Sequence, residues 1–394
     1  MTKQIVSLKR PKSASDKGSI LLREYVSEIA KTDKLPPHDL RPVLLGLFGE
    51  VGSILATAKK VDREGKAYIG FHDTVAEEFG DTLWYFAALC RRLKIELESV
   101  FSAVSKGPGY GESIAASDLL EGSVSHVASF VASPSLHDAF LKLGDAVSPL
   151  LDLRGPGESV RGHLSVFADH YLQALRAAGV TFSSVVHENI AKTRGRFLHP
   201  DFSRLPTFDH KFLEEERIPQ NFAIKITQRK SGQSYLQWNG VFVGDPLTDN
   251  ILDRDGYRFH DVFHFAHAAI LHWSPVFRAL IKQKRKSDRE YDEAQDGGRA
   301  IVVEEGLTAW IFSRAKALNY FEDQKSISFD LLKTIGQFVK GYEVDQCPLM
   351  LWERAILQGF AVFRKVRDNN GGIVIGDRKA RTIGYRSLKR GRRT

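Results

Sequence analysis

Through the first half of the chain, apolar residues recur every three to four positions, in runs separated by proline- and glycine-rich breaks. Residues 19–31 read as an amphipathic helix ended by TDKLPPHD, whose two prolines cannot continue it. Residues 41–60 predict a second helix, DREGKAYIGFHD a loop, and residues 74–94 a third helix with Asp73 or Thr74 as its N-cap. A shorter helix follows at ELESVFSAVS, then the break KGPGYGES, a helical pattern over 115–150 and a second break at LDLRGPGES. Two further helices, VRGHLSVFADHYLQALRAAG and TFSSVVHENIAKTRGRF, complete the series. Up to about residue 204 there is no strand-like alternation, which predicts an all-α bundle.

The pattern then changes. NFAIKITQRKSGQSYLQWNGVFVGD alternates apolar and polar residues around turn residues, the mark of an antiparallel hairpin, and GGIVIGDRKARTIGYR suggests another. Between them YRFHDVFHFAHAAILHW, RAIVVEEGLTAWIFSRAKAL, FDLLKTIGQFVKGYE and MLWERAILQGFAVFRKVRDN return to helical spacing. The expected fold is mainly α: a helical bundle over 1–204, then a second α-helical domain over 205–394 carrying a small antiparallel sheet.

Composition narrows the class. With 394 residues, 43% hydrophobic and 26% charged, the chain reads as an ordinary globular protein. No run approaches a membrane span and the N-terminus lacks a signal-peptide core, so a cytoplasmic protein is expected. Cys90 and Cys347 are its only cysteines, too few for a disulfide framework or a cysteine zinc cluster. The net charge of +8 concentrates in the leader SLKRPKSASDK and the tail GDRKARTIGYRSLKRGRRT. Such ends suit nucleic acid, but without an aromatic RNA-binding pattern a solvated end is favoured. A basic balance also suits phosphate-bearing substrates.

Three acids stand out on two neighbouring helices of the first half. Glu50 lies in the apolar run LLGLFGEVG, and Glu78 and Asp81, three apart and so on one face, lead LWYFAAL. Carboxylates in a bundle interior are costly unless paired or metal-bound, and an all-oxygen cluster is what Mg²⁺ prefers. Glu77 lies about a quarter-turn from Glu78 and makes a poor further ligand.

These motifs, FGEVGSILATAKK followed by EEFGDTLWYFAAL, resemble those of the MazG-like, all-α nucleoside triphosphate pyrophosphohydrolases. That family's pattern is an E-x-x-E helix followed by an E-x-x-D helix, closed by an asparagine, a lysine and an arginine late in the bundle. HENIAKTRGRF looks like the closing element, with Asn189, Lys192 and Arg196. The resemblance implies a four-helix-type bundle and hydrolysis of an NTP or dNTP to NMP and pyrophosphate. It also implies Mg²⁺ or Mn²⁺ held by Glu50, Glu78 and Asp81 with the Ser53 hydroxyl as a neutral ligand, and paired bundles, whether the two halves of one chain or a homodimer. Lys59, Lys60, Lys192 and Arg196 become candidate phosphate contacts. The departure is Ser53, where the family places its second glutamate. A neutral hydroxyl there leaves two readings open, a weaker or one-metal site, or a bundle that binds nucleotide without cleaving it.

The second half holds a different set. His260, His264 and His267 share one helical face, Asp261 lies one turn from His264, and Glu304 and Glu305 lead a later helix. Together they offer an alternative metal site suited to Mn, Fe or Zn, and with it a different phosphohydrolase; histidines hydrogen-bonded between packed helices explain the pattern equally well. The segment KRKSDREYDE…VEEGLTAWIF echoes KKVDREGKAY…AEEFGDTLWYF. Aligning them sets Asp261 opposite Glu50, His264 opposite Ser53 and Thr308 opposite Asp81, the pattern of a diverged second copy.

Overall fold

A computed structural model describes residues 20–104, 135–153 and 158–388. The leader through residue 19, the glycine-rich break KGPGYGES, the helical expectation over 115–134 and the last residues of the basic tail lie outside them. The chain forms two compact units, residues 1–198 and 199–394.

In the first unit the described elements are all helical: α1 (Leu22–Thr32), α2 (Arg41–Glu64), α3 (Phe71–Leu93), α4 (Leu97–Val104), α5 (Leu136–Val147), α6 (Glu158–Ala177) and α7 (Phe182–Phe197). α2 runs further than its apolar pattern, into the segment expected to be loop, and ends on Gly65. α3 begins before the expected cap. Gly70, at φ 86°, turns the chain in the left-handed region, and Asp73 falls in the first turn, where its charge favours the helix N-terminus.

α2 packs against α3, and α3 against α7. Both approaches depend on glycine. A Cβ on Gly46 would meet the Tyr85 ring at 2.1 Å, and one on Gly80 would meet Asn189 Cβ at 3.1 Å. Tyr171 on α6 donates to the Phe79 carbonyl at 2.9 Å, fixing α3 between Glu78 and Asp81. The segment Arg41–Ala67, with mean hydropathy 1.3, is long and apolar enough to cross a membrane by length and composition alone, a run the sequence reading did not mark. In the bundle its residues Val43, Leu47, Val51 and Ile54 are buried core.

The second unit contains β1 (Asn221–Gln228), β2 (Ser234–Trp238), β3 (Val241–Leu247), α8 (Asp261–Ala266), α9 (Pro275–Leu280), α10 (Arg289–Ala294), α11 (Gly298–Lys316), α12 (Phe329–Phe338), α13 (Leu349–Asp368), β4 (Gly371–Asp377) and β5 (Thr382–Arg386). The two hairpin-like segments are one antiparallel sheet, ordered β3-β2-β1-β4-β5. Alternation along β1 buries Phe222, Ile224 and Ile226, and they share a core with Phe263 of α8 and Phe363 of α13. The mainly α fold with a small antiparallel sheet is as the periodicity predicts. The helix expected across 257–273 is broken, however. A short 3₁₀ turn precedes α8, a π turn over His267–Leu271 follows it, and His272 at φ 62° stops it.

Candidate functional site

In the first unit α2 and α3 bring three acids together. One carboxylate oxygen each from Glu50, Glu78 and Asp81 lies within 4.8 Å of the other two. All three are partly buried. Burial, then the charges of Asp81 and Glu78, push the Glu50 carboxyl up to about 8, so with no cation present it keeps a proton at neutral pH.

α7 supplies the basic side of the cluster. Lys192 Nζ donates to Glu77 at 2.8 Å and also to Asp81. Burial works against the ammonium, but Asp81 and Glu77 outweigh it and hold its pKa above the ordinary value. Glu77, set aside as badly angled, belongs here as a partner of Lys192, since Glu77 and Asp81 are one turn apart. Asn189, buried, donates from Nδ2 to Asp81 at 3.3 Å and accepts from Tyr25 Oη at 3.0 Å. Tyr25 and Tyr85 escaped the sequence reading, because nothing in a lone tyrosine's spacing marks it. The phenol pKa of each is raised, by burial first; Asp81 adds to the rise at Tyr25, and Glu50 and Asp81 at Tyr85.

The remaining candidates are Ser53, Lys59, Lys60 and Arg196. Ser53, one turn after Glu50, is partly buried, and its hydroxyl makes no hydrogen bond among the described residues. Lys59 is exposed and Lys60 lies 5.9 Å from the Tyr68 ring centre. Helical rise sets them roughly 14–15 Å along α2 from Glu50. Arg196, partly buried, lies over the Phe197 ring at 5.6 Å.

The second unit holds the other cluster. One ligand atom each from His260, Asp261 and His264 lies within 4.8 Å of the others, and the same holds for His264, His267 and Glu304. Glu304 is fully buried on α11, with His264 Nδ1 at 3.0 Å and His267 Nδ1 at 2.9 Å from Oε1. Its Oε2 accepts from Ser274 Oγ and Val276 N, each at 3.0 Å. Burial alone would raise the Glu304 pKa; His264 and His267 bring it below the carboxylate range. Burial opposes the imidazolium form of His264, and Glu304 and Glu305 overcome that. Glu305, 39% exposed in its side chain, lies 3.4 Å from both His260 Nε2 and His264 Nε2. Asp261 is buried, and burial raises its carboxyl pKa.

Residues 203–389 match the family model of the MazG C-terminal domain. The second unit is similar to the MazG C-terminal domain. This supports the MazG-like relation of the chain, and it does so through the half where the sequence offered only an internal echo. The acidic bundle lies outside the matched residues, while the His/carboxylate cluster lies within them. No curated protein and no solved structure matches the chain.

Proposed function

We propose that the chain is a metal-dependent nucleoside triphosphate pyrophosphohydrolase, converting an NTP or dNTP to NMP and pyrophosphate at the first unit's acidic cluster. The observation that carries this reading is the convergence of Glu50, Glu78 and Asp81 within 4.8 Å, bordered by the Lys192 ammonium. The match to the MazG C-terminal domain downstream agrees with it. Mg²⁺ or Mn²⁺ would be held by the three carboxylates, neutralising phosphate oxygens and acidifying a bound water. Glu77 and Asp81 keep Lys192 charged and extended toward the cluster, where a phosphate oxygen can replace one of them. Asn189 holds Asp81 in place through Nδ2. Ser53 offers a neutral oxygen where a fourth acid would sit, which favours one tightly held cation over two.

The two clusters occupy corresponding places in the internal echo, each formed where a helix packs against another that carries a Glu-Glu pair in its second turn. That supports an origin of the second unit by duplication. Leu45 and Phe48, exposed on α2, are apolar positions that a paired bundle would cover.

The test is pyrophosphate release from a panel of NTPs and dNTPs with Mg²⁺ or Mn²⁺. Release from at least one nucleotide is expected; nucleotide binding with no turnover across the panel would make the bundle a sensor.

Glu50 adds a pH signature. Its folded pKa of about 8 lies above the ordinary 4.5, so the folded metal-free protein binds the extra proton between those values. Its contribution to stability is therefore complete below the unfolded pKa and is lost as pH rises through about 8. A cation must displace that proton. Mg²⁺ or Mn²⁺ affinity should rise about tenfold per pH unit up to the folded pKa and then level off, as read by calorimetry. A flat profile in wild type, or the same slope in Glu50→Gln, would remove Glu50 from the ligand set.

A further inference from the structure

We propose that His260, Asp261, His264 and Glu305 form a second metal site, inside the second unit, selective for a divalent transition metal. The inference does not rest on the pyrophosphohydrolase reading.

The argument begins with the ring tautomers. His260 Nδ1 lies 3.0 Å from the Tyr257 carbonyl, which can only accept, so Nδ1 carries the proton and Nε2 the lone pair. His264 Nδ1 faces the Glu304 carboxylate at 3.0 Å, which places its proton likewise. Both rings therefore present Nε2, and each Nε2 lies 3.4 Å from the same Glu305 oxygen. Two ring nitrogens and a carboxylate oxygen turned on one point need a cation among them: without metal the His264 proton serves, and a metal ion would displace it. A carbonyl or carboxylate behind each ring is the arrangement that orients metal-ligating histidines.

The contacts to Glu305 are long for charge-assisted hydrogen bonds. His264 is fully buried, with Nδ1 taken by Glu304 at 3.0 Å and Nε2 left with only a long approach to Glu305. A charge-assisted N–H···O⁻ bond would close to about 2.7–2.9 Å. The observed 3.4 Å is instead the edge of a tetrahedral shell with metal–ligand bonds of about 2.0–2.1 Å. Asp261 completes the donors: it is buried, its carboxylate accepts no hydrogen bond among the described residues, and it lies in one triad with His260 and His264.

The donor set decides the ion. Two imidazoles with carboxylates suit Zn²⁺, Fe²⁺ or Mn²⁺ over Mg²⁺, in contrast to the all-oxygen cluster of the first unit. Glu305, half in solvent, gives the ion a way in. His267 and Glu304 stay behind the site, Glu304 being held by Ser274 and Val276.

The test uses the full chain, stripped with a chelator and titrated with Co²⁺ and then Zn²⁺. X-ray absorption should show imidazole nitrogen in the Co²⁺ shell of wild type, and Zn²⁺ should displace the Co²⁺. Glu305→Gln, partly exposed and not expected to disturb folding, should weaken binding by about tenfold or more, and His264→Ala should remove the nitrogen shell. The pair Glu50→Gln and Asp81→Asn together should leave it intact. Absence of nitrogen from the wild-type shell, or unchanged Co²⁺ affinity in folded Glu305→Gln, would overturn the site and leave protons as the only cations among these carboxylates.

Discussion

Asp81→Asn is expected to reduce pyrophosphate release by more than about 100-fold while leaving the bundle folded. Loss of a residue that merely orients a metal ligand costs about 10–100-fold, so loss of a ligand should exceed that. Asp81 also does more than face a cation. It anchors Lys192 and accepts from Asn189, so its charge organises both basic and amide groups of the site. Asn is nearly the same size, which keeps the close approach of α3 to α7. Glu77→Gln is the informative companion: it leaves the three clustered acids untouched and loosens only Lys192, so a loss of about tenfold or less is expected. Steady-state rates with saturating Mg²⁺ and circular dichroism on both variants decide the matter. Folded Asp81→Asn that turns over within a few-fold of wild type would move the chemistry away from this cluster.

The helices of the bundle were legible because each buries one stripe, and their apolar spacing states this directly. Glu50, Glu78 and Asp81 were legible for a related reason: charge inside such a stripe needs a partner. The role of Glu77 beside Lys192 was not legible, because angular position on one helix cannot show what a neighbouring helix offers. Lys192 reaches across from α7 and accommodates both Glu77 and Asp81. Tyr25 and Tyr85 could not be found from spacing, as their place at the cluster depends on packing between helices distant in sequence.

The second unit was harder to read. Each hairpin pattern was visible alone, but nothing local tells β1 to pair with β4, more than a hundred residues away. The break after α8 also escaped, since HFAHAAILHW keeps its apolar character across a π turn. The histidines were visible as a face. Which carboxylate holds a ring from behind and which stands at its open nitrogen is a matter of tertiary geometry: Glu304 does the first and Glu305 the second.

The largest stability effect is expected from Asp209→Ala in the second unit. Asp209 is buried and accepts from Arg278 at 3.0 Å, from Arg378 at 2.8 Å and from the Ile218 backbone N–H at 2.9 Å. It thus ties the segment entering the unit to α9 and to the β4–β5 turn. Removing it leaves two buried guanidinium groups without their shared carboxylate, a change that costs about 3–5 kcal/mol. Hydrogen exchange should show lost protection across β1, α9 and the β4–β5 hairpin, with α2 and α3 unaffected. The sign with pH follows from the same contacts. Burial raises the Asp209 pKa, but Arg378 and Arg278 bring it below the ordinary 3.8, so its contribution is present above that value and lost as pH falls through the lower one. Wild type and Asp209→Ala should therefore converge in stability under acid and separate toward neutrality. Equal stabilities at neutral pH would show that solvent reaches both arginines and that Asp209 pins nothing.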